Sequence, residues 1–212
     1  ILLMSVKILR YLAIFISLGI VGVLIATQFG FLKVGNLTRG STGIAKIGGP
    51  FQLTDHYDRL RTDADFQGRL MLIYFGYTSC PDVCPTGLQV MSSALEEIDS
   101  TNKLIQPLFI TVDPERDTSS HLKEYLSNFH PSILGMTGTT AQIKNAAKSF
   151  RVYFRKNDEE KNKPTHNYLI DHSSIIFLMD TQGSYLTHFS HQTQPSKLAA
   201  VLREHIRASN GK

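Results

Sequence analysis

From Phe51 onward, short apolar runs alternate with amphipathic segments, and this alternation limits the fold more than any other feature of the sequence. Short apolar runs indicate buried strands, and apolar side chains at helical spacing indicate helices packed on a core. Strands that alternate with helices predict a mostly parallel sheet. The predicted strands are Leu70–Tyr77, Pro107–Val112, Ser132–Thr137, Val152–Arg155, Ser173–Met179 and Tyr185–Phe189, and the predicted helices are Pro85–Ile98, Thr118–Phe129, Thr139–Phe150 and Pro195–Ile206.

The last three predicted elements refine the fold class. Two strands are separated by the turn signal Thr181-Gln182-Gly183, which predicts a hairpin, and a helix follows them. A hairpin adds antiparallel strands to the parallel part of the sheet, and a central sheet that ends in this way is the thioredoxin arrangement. We therefore predict an α/β domain over residues 51–212, with a thioredoxin-like central mixed sheet flanked by helices.

A segment of 22 residues without a charged side chain runs from Tyr11 to Leu32. As a helix it would be about 33 Å long, enough to cross a hydrocarbon core of about 30 Å. No small-x-small cleavage pattern follows it, so an uncleaved transmembrane helix is favoured over a signal peptide or a buried helix. The predicted order is a cytoplasmic stub at 1–10, the anchor at 11–32 and a linker at 33–50. We expect a bacterial cytoplasmic (inner) membrane protein with its domain on the periplasmic side.

Composition and missing motifs exclude several functions. The 22 Lys and Arg residues only slightly outnumber the 18 Asp and Glu residues, so the sequence gives no sign of a basic face for nucleic acid. The phosphate-loop motif, G-x-S-x-G and H-E-x-x-H are all missing from the sequence. A domain of this length can bury about 70% of the surface that its unfolded chain exposes. It therefore needs no disulfide framework, and its two cysteines require another explanation.

Cys80 and Cys84 lie between the strongest predicted strand and the helix that follows it. Pro81 and Pro85 disfavour helical backbone at the residues before them, which predicts a loop with Cys84 at the helix N-cap. The positive end of the helix dipole should lower the pKa of a thiol placed there. Three interpretations stay open: a structural disulfide, a dithiol oxidoreductase (although two intervening residues are usual) and a copper(I) site.

Among the eight histidines, His172 is the strongest candidate for a third ligand. It directly precedes the apolar run Ser173–Met179. In a thioredoxin-like sheet, the loop before this strand lies beside the first βα turn, where active sites gather. A histidine with a purely structural role is the alternative, and His166 is the reserve ligand.

The segment Tyr74–Pro85 (YFGYTSCPDVCP) resembles the signature of the Sco/SenC family, the copper-delivery proteins of cytochrome c oxidase assembly. Three further segments match the family pattern in the same order, and the N-terminal anchor also fits. These segments are Ile47–Phe51, Thr111–Thr118 and Tyr168–Ser173. A lone C-x-x-x-C pair would be weak support, whereas this ordered set extends over about residues 47 to 206 and is specific.

The resemblance implies that Cys80, Cys84 and His172 bind one copper ion per chain, as Cu(I), Cu(II) or both. Two thiolates and one imidazole also suit Cu(I) chemically, because a structural zinc site takes a fourth ligand. The implied role is a membrane-anchored copper chaperone for cytochrome c oxidase subunit II or a related copper-centre protein. Other copper carriers and thioredoxin-like reductants are further candidate partners. The alternatives are a thiol-disulfide oxidoreductase acting on the cysteines of that centre and a copper or redox sensor, so enzymatic activity is left open.

Three aspartates are candidates for supporting roles. Asp113 follows the second strong strand, and the resemblance implies a position near the copper or at a partner surface; a local turn or cap is the alternative. Asp82, between the cysteines, is expected to form the turn, with partner recognition as the other option. Asp171 either orients His172 through its second ring nitrogen or points to solvent.

Overall fold

The computed structural model describes residues 10–11, 14–21, 47–98, 104–157 and 168–210. Contacts divide the chain into two units, Ile1–Ala45 and Lys46–Lys212. In the first unit, the described residues are helical. No helix within the described ranges has the length and apolar character needed to cross a membrane. Most of the predicted stub, anchor and linker, as well as His166, lie outside the described residues.

The second unit contains nine described strands, arranged in two sheets. They are β1 (Gln52–Asp55), β2 (Leu60–Thr62), β3 (Leu70–Gly76), β4 (Ile105–Thr111), β5 (Leu134–Thr137), β6 (Phe154–Lys156), β7 (Ile170–His172), β8 (Ile175–Met179) and β9 (Tyr185–Ser190). The larger sheet has the order β2-β1-β5-β4-β3-β8-β9, and β6 and β7 form a separate pair. Strands β3, β4 and β5 are parallel, whereas β8, β9, β1 and β2 add antiparallel pairs.

Four α-helices complete the described part of the domain. They are α1 (Val83–Ile98), α2 (Ser119–Leu126), α3 (Thr140–Ser149) and α4 (Pro195–Asn210). Helix α1 packs against α4, while α2 packs against β5 and α3 against β1. The hydroxyls of Thr118 and Thr139 accept backbone N–H groups at the starts of α2 and α3. These caps satisfy donors that the first turn of a helix leaves free, and they fix where both helices begin.

Strand β3 lies in the interior of the larger sheet, and all seven of its residues are buried. It pairs in parallel with β4 and antiparallel with β8, so neither of its edges is open. A strand covered on both faces reads as a continuous apolar run, which is why its position was predictable from the sequence. The predicted thioredoxin-like mixed sheet is confirmed. Three strands were not predicted (β1, β2 and β7), because each is only three or four residues long and has at least one exposed position.

Candidate metal centre

Both cysteines lie where β3 ends and α1 begins. The backbone N–H of Cys80 donates to the carbonyl of Tyr77, 3.3 Å away, which closes the turn after the strand. The carbonyl of Asp82 accepts from the N–H of Thr86 at 3.2 Å, and the helix begins at Val83. The prediction that Cys84 forms the N-cap is therefore wrong, because Asp82 occupies that position and Cys84 lies inside the first turn.

The two thiols have different environments. Cys84 is fully buried in the core, while Cys80 is 8% exposed at its rim. Burial raises the pKa of the Cys84 thiol, so the predicted lowering is also wrong. The hydrogen bond from the Cys84 thiol, opposed by burial, lowers the pKa of Cys80 to about 4. The Cys84 N–H also lies 3.4 Å from the Cys80 sulfur, so the helix start stabilises the Cys80 thiolate instead.

His172 reaches the cysteines from the smaller sheet. It is the last residue of β7, and its register partner in β6 is Phe154. The Nδ1 atom lies 3.2 Å from the carbonyl oxygen of Ser173, which is the acceptor for an Nδ1 proton. Nε2 then carries the lone pair, and it lies 3.2 Å from the Cys84 Sγ. The imidazole is therefore oriented with a free ligand atom toward the thiols.

The sulfurs of Cys80 and Cys84 and one nitrogen of His172 form a compact ligand set, with all three atoms within 4.8 Å of one another. Both cysteines are free thiols. Among the described residues, no other group of three His, Cys, Asp or Glu side chains is arranged to hold a metal ion. Two soft sulfur ligands and one imidazole fit a copper(I) ion, and the set leaves a coordination position open.

Tyr77 connects the cysteine loop to the strand that carries His172. Its hydroxyl accepts the backbone N–H of Ile170 at 3.2 Å. The Tyr77 ring also meets the His172 ring edge to face, with ring centroids 5.7 Å apart. One aromatic side chain thereby sets the distance between the two parts of the ligand set.

Asp113 belongs to a second link between the same two regions, and it is 1% exposed. Its carboxylate accepts the hydroxyl of Tyr168 at 2.6 Å and pairs with the guanidinium of Arg116. The Arg116 guanidinium lies over the Tyr168 ring, 3.7 Å from its centroid, and over the Tyr77 ring at 5.7 Å. Asp113 therefore ties the loop after β4 to the segment before β7, and through Arg116 to Tyr77.

A further buried carboxylate, Asp117, holds the base of the cysteine loop. It accepts hydrogen bonds from the backbone and hydroxyl of Thr78 at 3.0 and 2.6 Å, and from the hydroxyl of Thr111 at 2.6 Å. Burial raises the pKa of Asp117, and these hydrogen bonds oppose that effect. The loop that carries both cysteines is thus fixed to the end of β4.

The two remaining candidate aspartates are solvent-exposed. Asp82 contributes its backbone to the start of α1, in agreement with the turn interpretation. Asp171 lies opposite Arg155 in the register of β6 and β7, while the Nδ1 atom of His172 faces the carbonyl of Ser173. The structure therefore favours the solvent-facing interpretation of Asp171.

The SCO1/SenC family model matches residues 39–207, a range that contains all three candidate ligands. The chain belongs to the SCO1/SenC family. A SCO2-like protein of Rickettsia felis is 42% identical over 158 residues, covering 74% of this chain and 76% of that protein. The mitochondrial SCO1 homolog of Homo sapiens is 39% identical over 163 residues, covering 76% of this chain and 53% of that protein.

Two copper-bound structures resemble this SCO1/SenC domain closely. ScoI of Bradyrhizobium japonicum with copper bound has a TM-score of 0.69 at 42% identity, over 75% of this chain and 99% of that chain. Yeast Sco1 with copper bound has a TM-score of 0.70 at 42% identity, over 76% of this chain and 89% of that chain. The resemblance expected from the sequence motifs is confirmed.

Sequence reasoning gave no role to Tyr77, Arg116, Asp117 or Tyr168, although all four lie within the SCO1/SenC motif segments. A usable signal existed for Arg116 and Asp117. They follow a parallel strand adjacent to β3, so they had to lie at the same carboxyl-terminal sheet edge as the cysteines. For Tyr168 and Tyr77, the interacting partners are remote in sequence, and nothing in the local pattern identifies them.

Proposed function

We propose that the protein binds one copper ion through Cys80, Cys84 and His172 and delivers it to the copper centre of cytochrome c oxidase subunit II or a related protein. The observation that carries this proposal is the ligand triangle, in which two sulfurs and one imidazole nitrogen lie within 4.8 Å. Copper-bound relatives at 42% identity support the choice of metal.

The chemistry of the ligands also supports copper as a transferable cargo. Thiolates favour Cu(I). The pKa of the Cys80 thiol is already lowered by its hydrogen bonds with the Cys84 side chain and with the Cys84 N–H at the helix start, so Cys80 favours the thiolate form. Three ligands are enough to hold Cu(I), and the open position lets a ligand of a partner protein enter before the ion leaves. Partners of this kind are copper-centre proteins, other copper carriers and thioredoxin-like reductants.

Delivery to an exported copper centre requires the domain to lie on the periplasmic side of the bacterial cytoplasmic membrane. The uncharged segment Tyr11–Leu32 supports an N-terminal anchor. We expect the full chain to fractionate with membranes and to resist extraction by high salt. Recovery of the full chain in the soluble fraction would contradict the anchor.

The decisive test is His172→Ala, compared with His121→Ala on the exposed face of α2 as a matched histidine control. The reduced protein is loaded with Cu(I) and challenged with a chelator of known affinity. Changes in residues that merely support a ligand cost about 10- to 100-fold in metal affinity, so loss of the ligand itself should cost at least that much. His121→Ala should retain copper like the wild type. Equal retention by both variants would refute the site.

The second candidate function is thiol-disulfide exchange by the same pair of cysteines. It is favoured by the two free thiols at a helix start, with their sulfurs inside the same 4.8 Å set. The His172→Ala variant separates the two functions because both thiols and the helix remain in place. A chaperone would lose copper and fail in oxidase assembly, while an oxidoreductase would keep its exchange rate and still support assembly.

A further inference from the structure

A cavity of about 270 Å³ lies beside β1 and β2, outside the copper site, and three arginines line it. These are Arg59, Arg61 and Arg69. Among the described lining residues there is no carboxylate side chain. Three guanidinium groups around one small volume are unusual, because each carries a full positive charge at any pH at which the protein is folded.

Among the described residues, only one of the three arginines has a carboxylate partner. The Nε of Arg61 donates to the buried carboxylate of Asp55 at 2.8 Å. The other oxygen of Asp55 accepts the backbone N–H groups of Tyr57 and Arg59 at 2.8 and 3.0 Å. The Arg59 guanidinium lies over the Tyr57 ring, 5.9 Å from its centroid. Asp55 therefore neutralises one charge of the three.

Arg69 is held by neutral groups. Its guanidinium donates to the side-chain oxygen of Gln106 and to the backbone carbonyl of Asp65. The Asp65 carboxylate is itself engaged by the N–H and hydroxyl of Thr62. Burial and, secondly, the charge of Arg61 lower the pKa of Arg69. The positive charge of the cavity is thus incompletely balanced, and an anion would relieve the repulsion.

His56 adds a donor on the wall of the same cavity. The backbone N–H of Gly135 donates to its Nδ1 at 3.0 Å, so the neutral ring carries its proton on Nε2. His56 is 7% exposed and keeps this orientation through the contact with β5. The lining therefore combines three arginines with a histidine, and in the described part of the chain the one carboxylate paired with them, Asp55, engages Arg61.

We propose that this cavity binds a phosphate group, either free inorganic phosphate or the headgroup phosphate of an anionic phospholipid. Guanidinium forks bind phosphate oxygens in pairs, and the negative charge of a phosphate group offsets the unbalanced charge of Arg59 and Arg69 in part or in full. The volume of about 270 Å³ is large enough for a phosphate group. The two sources share the same contacts, and the lipid headgroup would hold this face of the domain against a membrane.

The test uses the ¹⁵N-labelled full chain, purified in a nonionic detergent in phosphate-free buffer, and follows the arginine Nε–H signals by NMR. One arm adds inorganic phosphate, and a second adds micelles doped with phosphatidylglycerol, with undoped micelles as the blank. Shifts of the Arg59 and Arg69 signals with inorganic phosphate identify a free-anion site. Shifts in the lipid arm alone identify a headgroup site. Unchanged signals in both arms would overturn the proposal.

Variants test the assignment to this cavity. The variants are tested with whichever probe, inorganic phosphate or phosphatidylglycerol micelles, shifts the wild-type signals. The double variant Arg59→Gln/Arg69→Gln should bind that probe at least about tenfold more weakly, since each replacement removes a charge-assisted contact. Arg207→Gln, on the exposed end of α4, removes the same kind of charge elsewhere and should bind like the wild type. If the double variant unfolds, Arg59→Gln alone replaces it, because that side chain is exposed and makes no ion pair among the described residues. Equal affinity in the cavity variant and Arg207→Gln would refute the site.

Discussion

Gly76→Ala should disrupt the copper site by displacing Cys84, although Gly76 is not itself a ligand. Gly76 is the last residue of β3 and lies directly behind the thiol. A Cβ atom at this position would lie 2.7 Å from the Cys84 Sγ and 2.8 Å from Cε2 of Phe109. Both neighbours are fully buried, so neither moves aside freely.

The size of the effect follows from these distances. Ordinary contact begins at 3.4 Å, so the sulfur must move by about 0.7 Å, the difference between 3.4 and 2.7 Å. Overpacking of this kind costs about 1–3 kcal/mol of unfolding free energy. For a domain of this size, that corresponds to a fall in Tm of about 2–12 °C. A displaced ligand sulfur should also reduce copper affinity by about tenfold or more, as changes around a metal site do.

The assay compares Gly76→Ala with Gly49→Ala, whose nearest atoms are the Cβ and Oγ of Ser149 at the ordinary distance of 3.4 Å. Thermal unfolding of the reduced apoprotein gives the stability, and competition with a Cu(I) chelator gives the affinity. Gly49→Ala should match the wild type in both. If Gly76→Ala also matches the wild type in Tm and Cu(I) affinity, the close packing behind Cys84 does not position the thiol and the reasoning fails.

Two further predictions concern stability. Burial is the main cause that lowers the pKa values of His56 and His130, so each binds fewer protons in the folded than in the unfolded protein. The stability that these residues contribute should therefore be present above the ordinary pKa of 6.5 and should decline as the pH falls below that value. His56→Gln and His130→Gln should each reduce this pH dependence of the unfolding free energy, as measured by urea titration. Asp113→Ala should cost about 3 kcal/mol, because it removes the carboxylate that pairs with Arg116 and accepts from Tyr168, whereas Asp113→Asn keeps an acceptor for Tyr168 and should cost less. A urea midpoint for Asp113→Ala equal to that of the wild type would contradict this role.

The sequence identified the central elements because their pattern was set by burial. Strands β3 and β4 are nearly continuous apolar runs, since both of their faces are covered. Strands β1 and β2 are short and partly exposed. Strand β2 pairs with β1 and β1 pairs with the distant β5, and no local pattern encodes these pairings. Residues Ile170–His172 were expected in the loop before the run Ser173–Met179, whereas they form β7 in a separate sheet with β6.

The candidate ligands were likewise readable from the sequence, but their environment was not. Pro85 was taken to mark the first helical residue, which placed Cys84 at the N-cap. The first turn lacks internal partners for its N–H groups, so it tolerates proline at any of its positions. Pro85 is in fact the third residue of α1, and this shift turns the Cys84 side chain into the core. An error of two residues in the helix start therefore reversed the expected direction of the pKa shift.

The burial of the three ligands has a consequence for how copper would leave the proposed site. Cys84 is fully buried, Cys80 is slightly exposed and His172 is half-buried. A partner's ligand would therefore reach an ion at this site from the side of His172 and Cys80, because Cys84 is the most buried of the three ligands. His172 ends a short strand whose position depends on Tyr77 and on the Asp113–Tyr168 hydrogen bond, whereas the cysteine loop is fixed by Asp117. The half-buried imidazole would thus be the ligand at which a partner first competes for the ion.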